Sequence, residues 1–249
     1  MVFLDDSPSD REIVSAQTPS VKVPNLGNDV ARYIEILDRS GYFETVSISA
    51  EDFKRNRHYG ENIKRQELAS RYKNYDEFLA SLEMKAEIKP FSPIYLDRIT
   101  QLVNKTNQFN LTTKRYTFSQ IEAISRNPQC VSLYGRLTDK FGDNGLVSVM
   151  IGDVMGDEIQ ISLWLMSCRV IKRGMEYAMF DHFVRMSIAR GIKSFKGIYL
   201  SSAKNSMVSG LYSDLGFERK VVEENGDSIW VCRIPDSYEN RNHLIEVLR

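Results

Sequence analysis

Residues 203–217 read AKNSMVSGLYSDLGF. Ser206 to Asp214 has the composition of a short helix, and Leu211 and Tyr212 together with Phe217 give it an apolar side. Gly216 stands where a helix ends in the left-handed conformation, which glycine adopts without steric cost. The stretch is bracketed by strand patterns. IKSFKGIYL (192–200) precedes it. FERKVV (217–222) and SIWVCRI (228–234) follow and pair as a hairpin across ENGD. A strand, a glycine-stopped helix and a hairpin thus close an α/β unit.

Working upstream, Gly174 to Ala189 reads as a helix with Met175, Ala178, Met179, Phe183 and Met186 as its apolar positions. Before it come three strands, CVSLYGRLTD (130–139), GLVSVMIGDV (145–154) and EIQISLWLMS (158–167), joined by the turn signals GDNG and MGDE. Phe118 to Arg126 is a short helix. A longer one starts at Pro93 and carries Leu96, Ile99, Leu102 and Val103 on one face. MKAEIKPF (84–91) is a strand. The order over 84–235 is therefore β-α-α-β-β-β-α-β-α-β-β. Between the two early helices lies NKTNQFNLTTKRY (104–116), too polar for a core element. Asn107, Gln108 and Asn110 are expected to point inward beside an acceptor site, as substrate-binding residues; a purely structural polar loop is the competing reading.

The first 50 residues differ in character. Val2–Leu4 is an apolar strand ending in Asp5 and Asp6, followed by a polar helix near Ser9–Ser15, a short strand VKVPNL (21–26) and an amphipathic helix over 29–43. Residues 51–83 are charged with helical apolar spacing, and 236–249 is expected to be a helical tail. The chain has 249 residues with 33 Lys+Arg against 33 Asp+Glu, which argues against a globally basic nucleic-acid binder. No apolar run approaches the roughly 18 residues of a spanning helix. Three dispersed cysteines without CxxC, and no signal-like start, fit a reducing cytoplasm.

The element order resembles the GNAT acyltransferase fold, and two local motifs sharpen the likeness. In CRVIKRGMEYAM (168–179) a strand passes into a helix N-terminus, whose free N–H groups and dipole suit a phosphate. The resemblance makes Arg169, Lys172, Arg173 and Gly174 cofactor-binding candidates. Ile171 and Glu176 depart from the family's Q/R-x-x-G-x-G/A loop, and a carboxylate there disfavours a second anion. In AKNSMVSGLYSDLGF the resemblance implies that Asn205 contacts pantetheine or phosphate. It also implies that Tyr212, a phenol with an ordinary pKa of roughly 10, protonates the leaving thiolate. Cys168, near the same helix start, is read either as a nucleophile or as a packed small hydrophobe. Strands at Trp164–Cys168 and Ile198–Ser201 are expected to splay into a pantetheine slot.

FLDDSPSDRE (3–12) looks like the acidic motif of HAD-superfamily phosphotransferases, which makes Asp5 and Asp6 vestigial metal-ligand candidates. The D-x-D-x-T nucleophile is absent, so magnesium is not expected to be functional here and phosphatase activity is not expected. With NKTNQFNLTTKRY, FGDNGLVSV, WLMSCRVIKRGME and AKNSMVSGLYSDLGF, the sequence resembles the FkbH-like family, whose members join HAD-like and GNAT-like parts. The resemblance implies four regions: a HAD-like remnant at 1–50, a helical connector at 51–83, a GNAT-like domain at 84–235 and a tail at 236–249. The implied function is an acyltransferase handling an acyl or glyceryl thioester on coenzyme A or an acyl carrier protein. The alternative is a non-catalytic module binding the carrier's phosphopantetheine arm. An upstream HAD-like polypeptide is a second expected partner; neither nucleic acid nor membrane is expected.

Overall fold

The computed structural model describes residues 2–42 and 50–248, the side chains of residues 50–59 excepted. The chain divides into two compact units, Met1–Arg57 and His58–Arg249. In the first, helix α1 (Pro8–Gln17) starts on a Ser7 cap that accepts the Asp10 N–H, with Pro8 in the first turn, where its missing N–H costs nothing. Val2 bridges Lys22 in parallel, and this single bridge is all that forms of the two short strands read there. Helix α2 (Tyr33–Arg39) follows a turn of 3₁₀ helix.

Helix α3 (Ala50–Ala69) runs across the division between the units, and α4 (Tyr75–Ser81) belongs to the second. The second unit is built on one mixed sheet flanked by helices. Its strands are β1 (Lys85–Pro90), β2 (Phe109–Asn110), β3 (Cys130–Asp139), β4 (Gly142–Met155), β5 (Glu158–Met166), β6 (Ser194–Tyr199), β7 (Glu218–Val222), β8 (Ser228–Arg233) and β9 (Glu246–Leu248). The spatial order is β7-β8-β6-β5-β4-β3-β1-β9, with β2 added on β5. β5/β6 and β1/β9 pair in parallel and the other neighbours antiparallel.

Helices α5 (Leu96–Lys105) and α6 (Phe118–Arg126) cover one face, and Ile99, Val103 and Ile121 pack there with Val149, Leu163 and Leu165. Thr117 and Gln120 form a reciprocal capping box that fixes where α6 begins. Helix α7 (Met175–Ile188) covers the other face, where Phe180 stacks on Trp164 and meets Phe195 edge-on. Gly135 allows the close approach of α7 to the sheet: a Cβ there would lie 2.4 Å from the Met175 side chain.

Two expectations are corrected here. The stretch from Ser206 to Asp214 is not one helix but a 3₁₀ turn (Ser206–Val208) and a separate four-residue helix α8 (Leu211–Asp214), divided at Ser209–Gly210. The tail is not helical. Its end is strand β9, since the open edge of β1 offers Glu246–Leu248 a ladder that a free helix could not match; Lys85, Ala86 and Glu87 are its register partners. No helix of the described residues is long and apolar enough to cross a membrane.

Candidate active site

The site is set by a fault in β5. Along β4 the register runs Ile151↔Leu163 and then Gly152↔Ile161, leaving Ser162 as an extra residue. Such a bulge bends its strand and flips the alternation of its side chains. Ile159 and Ile161 accordingly face the α7 core, Leu163 and Leu165 the α5/α6 core, and Trp164 and Met166 the α7 core again. The parallel pairing with β6 stops at the same point, at Ile161↔Gly197, although both strands continue. The two strands therefore part, but the open slot that the resemblance implied at Trp164–Cys168 and Ile198–Ser201 is not there.

The gap is filled by the chain itself. β2 pairs antiparallel with it, Phe109 opposite Met166 and Asn110 opposite Leu165. The Leu111 N–H donates to the Trp164 carbonyl at 3.0 Å, and the Leu200 N–H donates to the Leu111 carbonyl at 2.8 Å. The Thr112 hydroxyl donates to the Ser162 carbonyl at 2.9 Å, on the bulge itself. Phe109, Asn110, Leu111 and Thr112 are all buried.

Asn205 sits beneath this segment and is fully buried. Its amide N–H groups donate to the carbonyls of Asn110 (2.8 Å) and Leu200 (2.9 Å). Its Oδ1 accepts from the Ser202 N–H (2.8 Å) and the Tyr199 hydroxyl (3.2 Å). An amide has two donors and two acceptor sites, so its capacity is spent. Asn205 is thus the clasp of the filled gap and has nothing left for a ligand, contrary to expectation. Asn110 makes three such bonds: Oδ1 accepts from Thr112 (3.3 Å) and Thr113 (2.9 Å), and Nδ2 donates to the Thr106 carbonyl. Asn107 and Gln108 were expected to point inward and instead lie exposed, on the solvent side of the point where the chain dives into the gap; Asn107 accepts a bond from Arg115.

Tyr212 is also displaced from its expected role. It is wholly buried, and its ring lies over Gly197, where a Cβ would come within 2.6 Å of it. The phenol donates at 3.4 Å to the Ile198 carbonyl, on β6. Burial pushes its pKa far above the ordinary 10.0. A phenol so enclosed keeps its proton and is not placed to deliver it to a thiolate.

At the end of β5 the chain makes a 3₁₀ turn (Cys168–Val170), and Lys172 (φ +65°) and Gly174 (φ +80°) take left-handed conformations before α7. Cys168 and Lys172 are exposed, and Arg169 donates to the Ser167 hydroxyl at 3.3 Å. Arg173 turns away from the helix start. It bonds Asp139 at 3.1 Å and Asn144 at 3.3 Å. The same carboxylate receives both Nε and Nη2 of Arg65 at 2.9 Å. Arg173 is therefore a member of a buried charge cluster and not a free phosphate ligand. Asp139, Asn144 and Arg65 carried no sequence signal as its partners beyond an acid at the end of an apolar strand.

The first turn of α7 holds Glu176, whose Oε2 is buried without a partner. Burial raises its pKa; its own backbone N–H opposes the rise, and the Asp214 carboxylate adds to it. A carboxylate of the chain thus occupies the positive end of the helix, where a phosphate was expected. In the first unit, Asp5 accepts the Ser7 N–H at 2.8 Å, and Arg11 donates to the Asp5 and Asp6 carbonyls. Among the described residues no three His, Cys, Asp or Glu side chains are grouped to hold a metal. A cavity of about 650 Å³ lies elsewhere, over Phe180 and Phe195 under the C-terminal segment, and contains none of these candidates.

No family model and no curated protein matches the sequence. Solved structures do resemble its path. The ribosomal-protein-S18-alanine N-acetyltransferase from Escherichia coli is 15% identical, with TM-score 0.47, over 64% of this chain and 99% of its own. The GNAT domain of S. lividans PAT is 16% identical, with TM-score 0.49, over 60% and 90%. Spermidine N-acetyltransferase from Vibrio cholerae, solved with CoA and spermine, is 12% identical, with TM-score 0.45, over 60% and 95%. At these values the likeness concerns the path of the chain and not a site.

Proposed function

We propose that this chain is a GNAT-like acyltransferase module of the FkbH-like family, handling an acyl or glyceryl thioester on the pantetheine arm of an acyl carrier protein. The observation that carries the reading is the parting of β5 from β6 at the Ser162 bulge. Parted strands turn backbone N–H and C=O groups toward one gap, which suits an amide-containing arm laid in as an added strand. Coenzyme A fits less well than a carrier-bound arm. Its diphosphate would meet Glu176 at the helix start, with Arg173 already paired to Asp139. Cys168, exposed at the end of β5, is the thiol at hand to accept an acyl group, its sulfur attacking the thioester carbonyl while the arm's thiolate leaves and takes up the proton. The N-terminal unit is read, on FLDDSPSDRE alone, as the tail of a HAD-like domain that works with an upstream HAD-like partner.

A second reading is favoured by the burial of Tyr212 and the saturation of Asn205: a module that holds the arm while another chain does the chemistry. Thermal shift with holo carrier protein, free pantetheine and acetyl-CoA, followed by intact-mass analysis after incubation with acyl carrier protein, tests both. Stabilisation plus a mass gain lost in Cys168→Ser supports transfer. Stabilisation without mass gain supports holding, and Tyr212→Phe should then bind as the wild type does. No stabilisation by any of the three refutes the thioester reading.

A further inference from the structure

We propose that Phe109–Thr112 is an internal stand-in for the thioester arm, and that the arm enters only by exchange with this segment. The inference rests on the thioester reading above and adds how the site is regulated. The segment uses the groups an arm would use: it pairs with Leu165 and Met166 of β5, takes the Trp164 carbonyl, and receives the Leu200 N–H beyond the end of β6. An extended arm with two amide groups presents the same kinds of donor and acceptor as this short strand.

Three features mark the segment as exchangeable. β2 is only two residues long, so few ladder bonds hold it. The residues around it are polar, Thr106, Asn107, Gln108, Thr112 and Thr113, so the apolar surface uncovered on release is that of Phe109 and Leu111, both core residues, which an incoming arm must cover in turn. Thr113, a β-branched residue, is held at φ +52°, a conformation such side chains rarely adopt, and release of the loop relieves it. Asn110 supplies part of the restraint by accepting the N–H groups of Thr112 and Thr113, beside the bonds from Asn205 and from the Thr112 hydroxyl.

The competent state is thus a minor one, and apparent affinity is reduced by its fractional population. The experiment is amide hydrogen exchange on the full chain with and without holo carrier protein and free pantetheine, beside titrations of wild type and Asn110→Ala. The exchange model expects the ligand to speed exchange over residues 106–113 while the rest of the second unit is unchanged or slowed. Asn110→Ala, losing the three side-chain bonds of Asn110, should bind pantetheine about tenfold tighter. Circular dichroism shows whether that variant folds, and the wild-type exchange data decide the matter if it does not. Binding with 106–113 still protected and Asn110→Ala unchanged overturns exchange while leaving the thioester reading intact. No binding to either protein overturns both.

Discussion

Replacing Asp139 by Asn removes the one carboxylate that two guanidinium groups share. The Asp139 side chain is 0% exposed, Arg65 5% and Arg173 12%, so neither cation can turn to water without breaking the packing between α3, the β3–β4 hairpin and the turn before α7. Glu61 lies 3.8 Å from Arg65, so that cation keeps a carboxylate neighbour while Arg173 loses its ion pair with Asp139. Breaking a buried pair from one side costs about 3–5 kcal/mol, because the remaining charge stays desolvated. At a urea slope of about 2 kcal/mol/M, a loss of about 4 kcal/mol lowers the unfolding midpoint by about 2 M. The assay is urea unfolding followed by circular dichroism at neutral pH. Combining the variant with Arg65→Gln should cost less than the sum of the two, since one of the two stranded cations is then gone. The pH dependence has a definite sign. Desolvation raises the Asp139 pKa, but the bonds from Arg65, Asn144 and the Phe141 N–H outweigh it, so the folded value lies below the ordinary 3.8. The stabilisation is fully present above 3.8 and disappears as pH falls through that lower value, so the gap between wild type and variant should close only there. A midpoint shift of under about 0.3 M would refute the idea that this cluster ties the helix to the hairpin.

Gly197→Ala should destabilise the fold by about 1–3 kcal/mol in calorimetry, because the new methyl meets the Tyr212 ring, which is itself enclosed. Glu176→Gln should raise the melting temperature at neutral pH. The Glu176 pKa is raised in the folded chain, so its charge destabilises as pH rises; melting at pH 5 and pH 8 should show the wild type losing relative to the variant at the higher pH. The same variant should tighten coenzyme A binding in titration calorimetry, as the competing anion is removed. The chain should release no phosphate from a generic phosphate ester with magnesium; release that is lost in Asp5→Asn would contradict the reading of 3–12.

Local signals carried the fold well where one element decides its own fate. β3 begins and ends where CVSLYGRLTD does, and α6 spans Phe118–Arg126 because its cap, Thr117, and its apolar positions are both local. What the residues could not display is pairing across distance. Asn110 and Asn205 were expected to meet substrate and cofactor, yet the Asn205 amide donates to the Asn110 backbone carbonyl, 95 residues away. Arg173 was a cofactor-binding candidate on the resemblance of its loop, and its partner Asp139 stands 34 residues upstream. The bulge at Ser162 is equally silent, since ISLWLM reads as continuous strand and only the register against β4 reveals the extra residue. Tyr212 matched a motif by position, but whether its hydroxyl faces a ligand or a carbonyl depends on Gly197, on another element.

The C-terminal edge of the sheet has a practical meaning. β1 is shielded on its outer side by only three residues, Glu246–Leu248, hydrogen-bonded in parallel to Lys85–Glu87. Loss of these few residues from the sheet would bare a row of amide groups next to Ala86 and Ile88, which pack in the core. Such a bare strand is a template for joining one molecule to the next. Substitutions that unseat Glu246–Leu248, such as Val247→Pro, should therefore make preparations turn turbid, which light scattering would show.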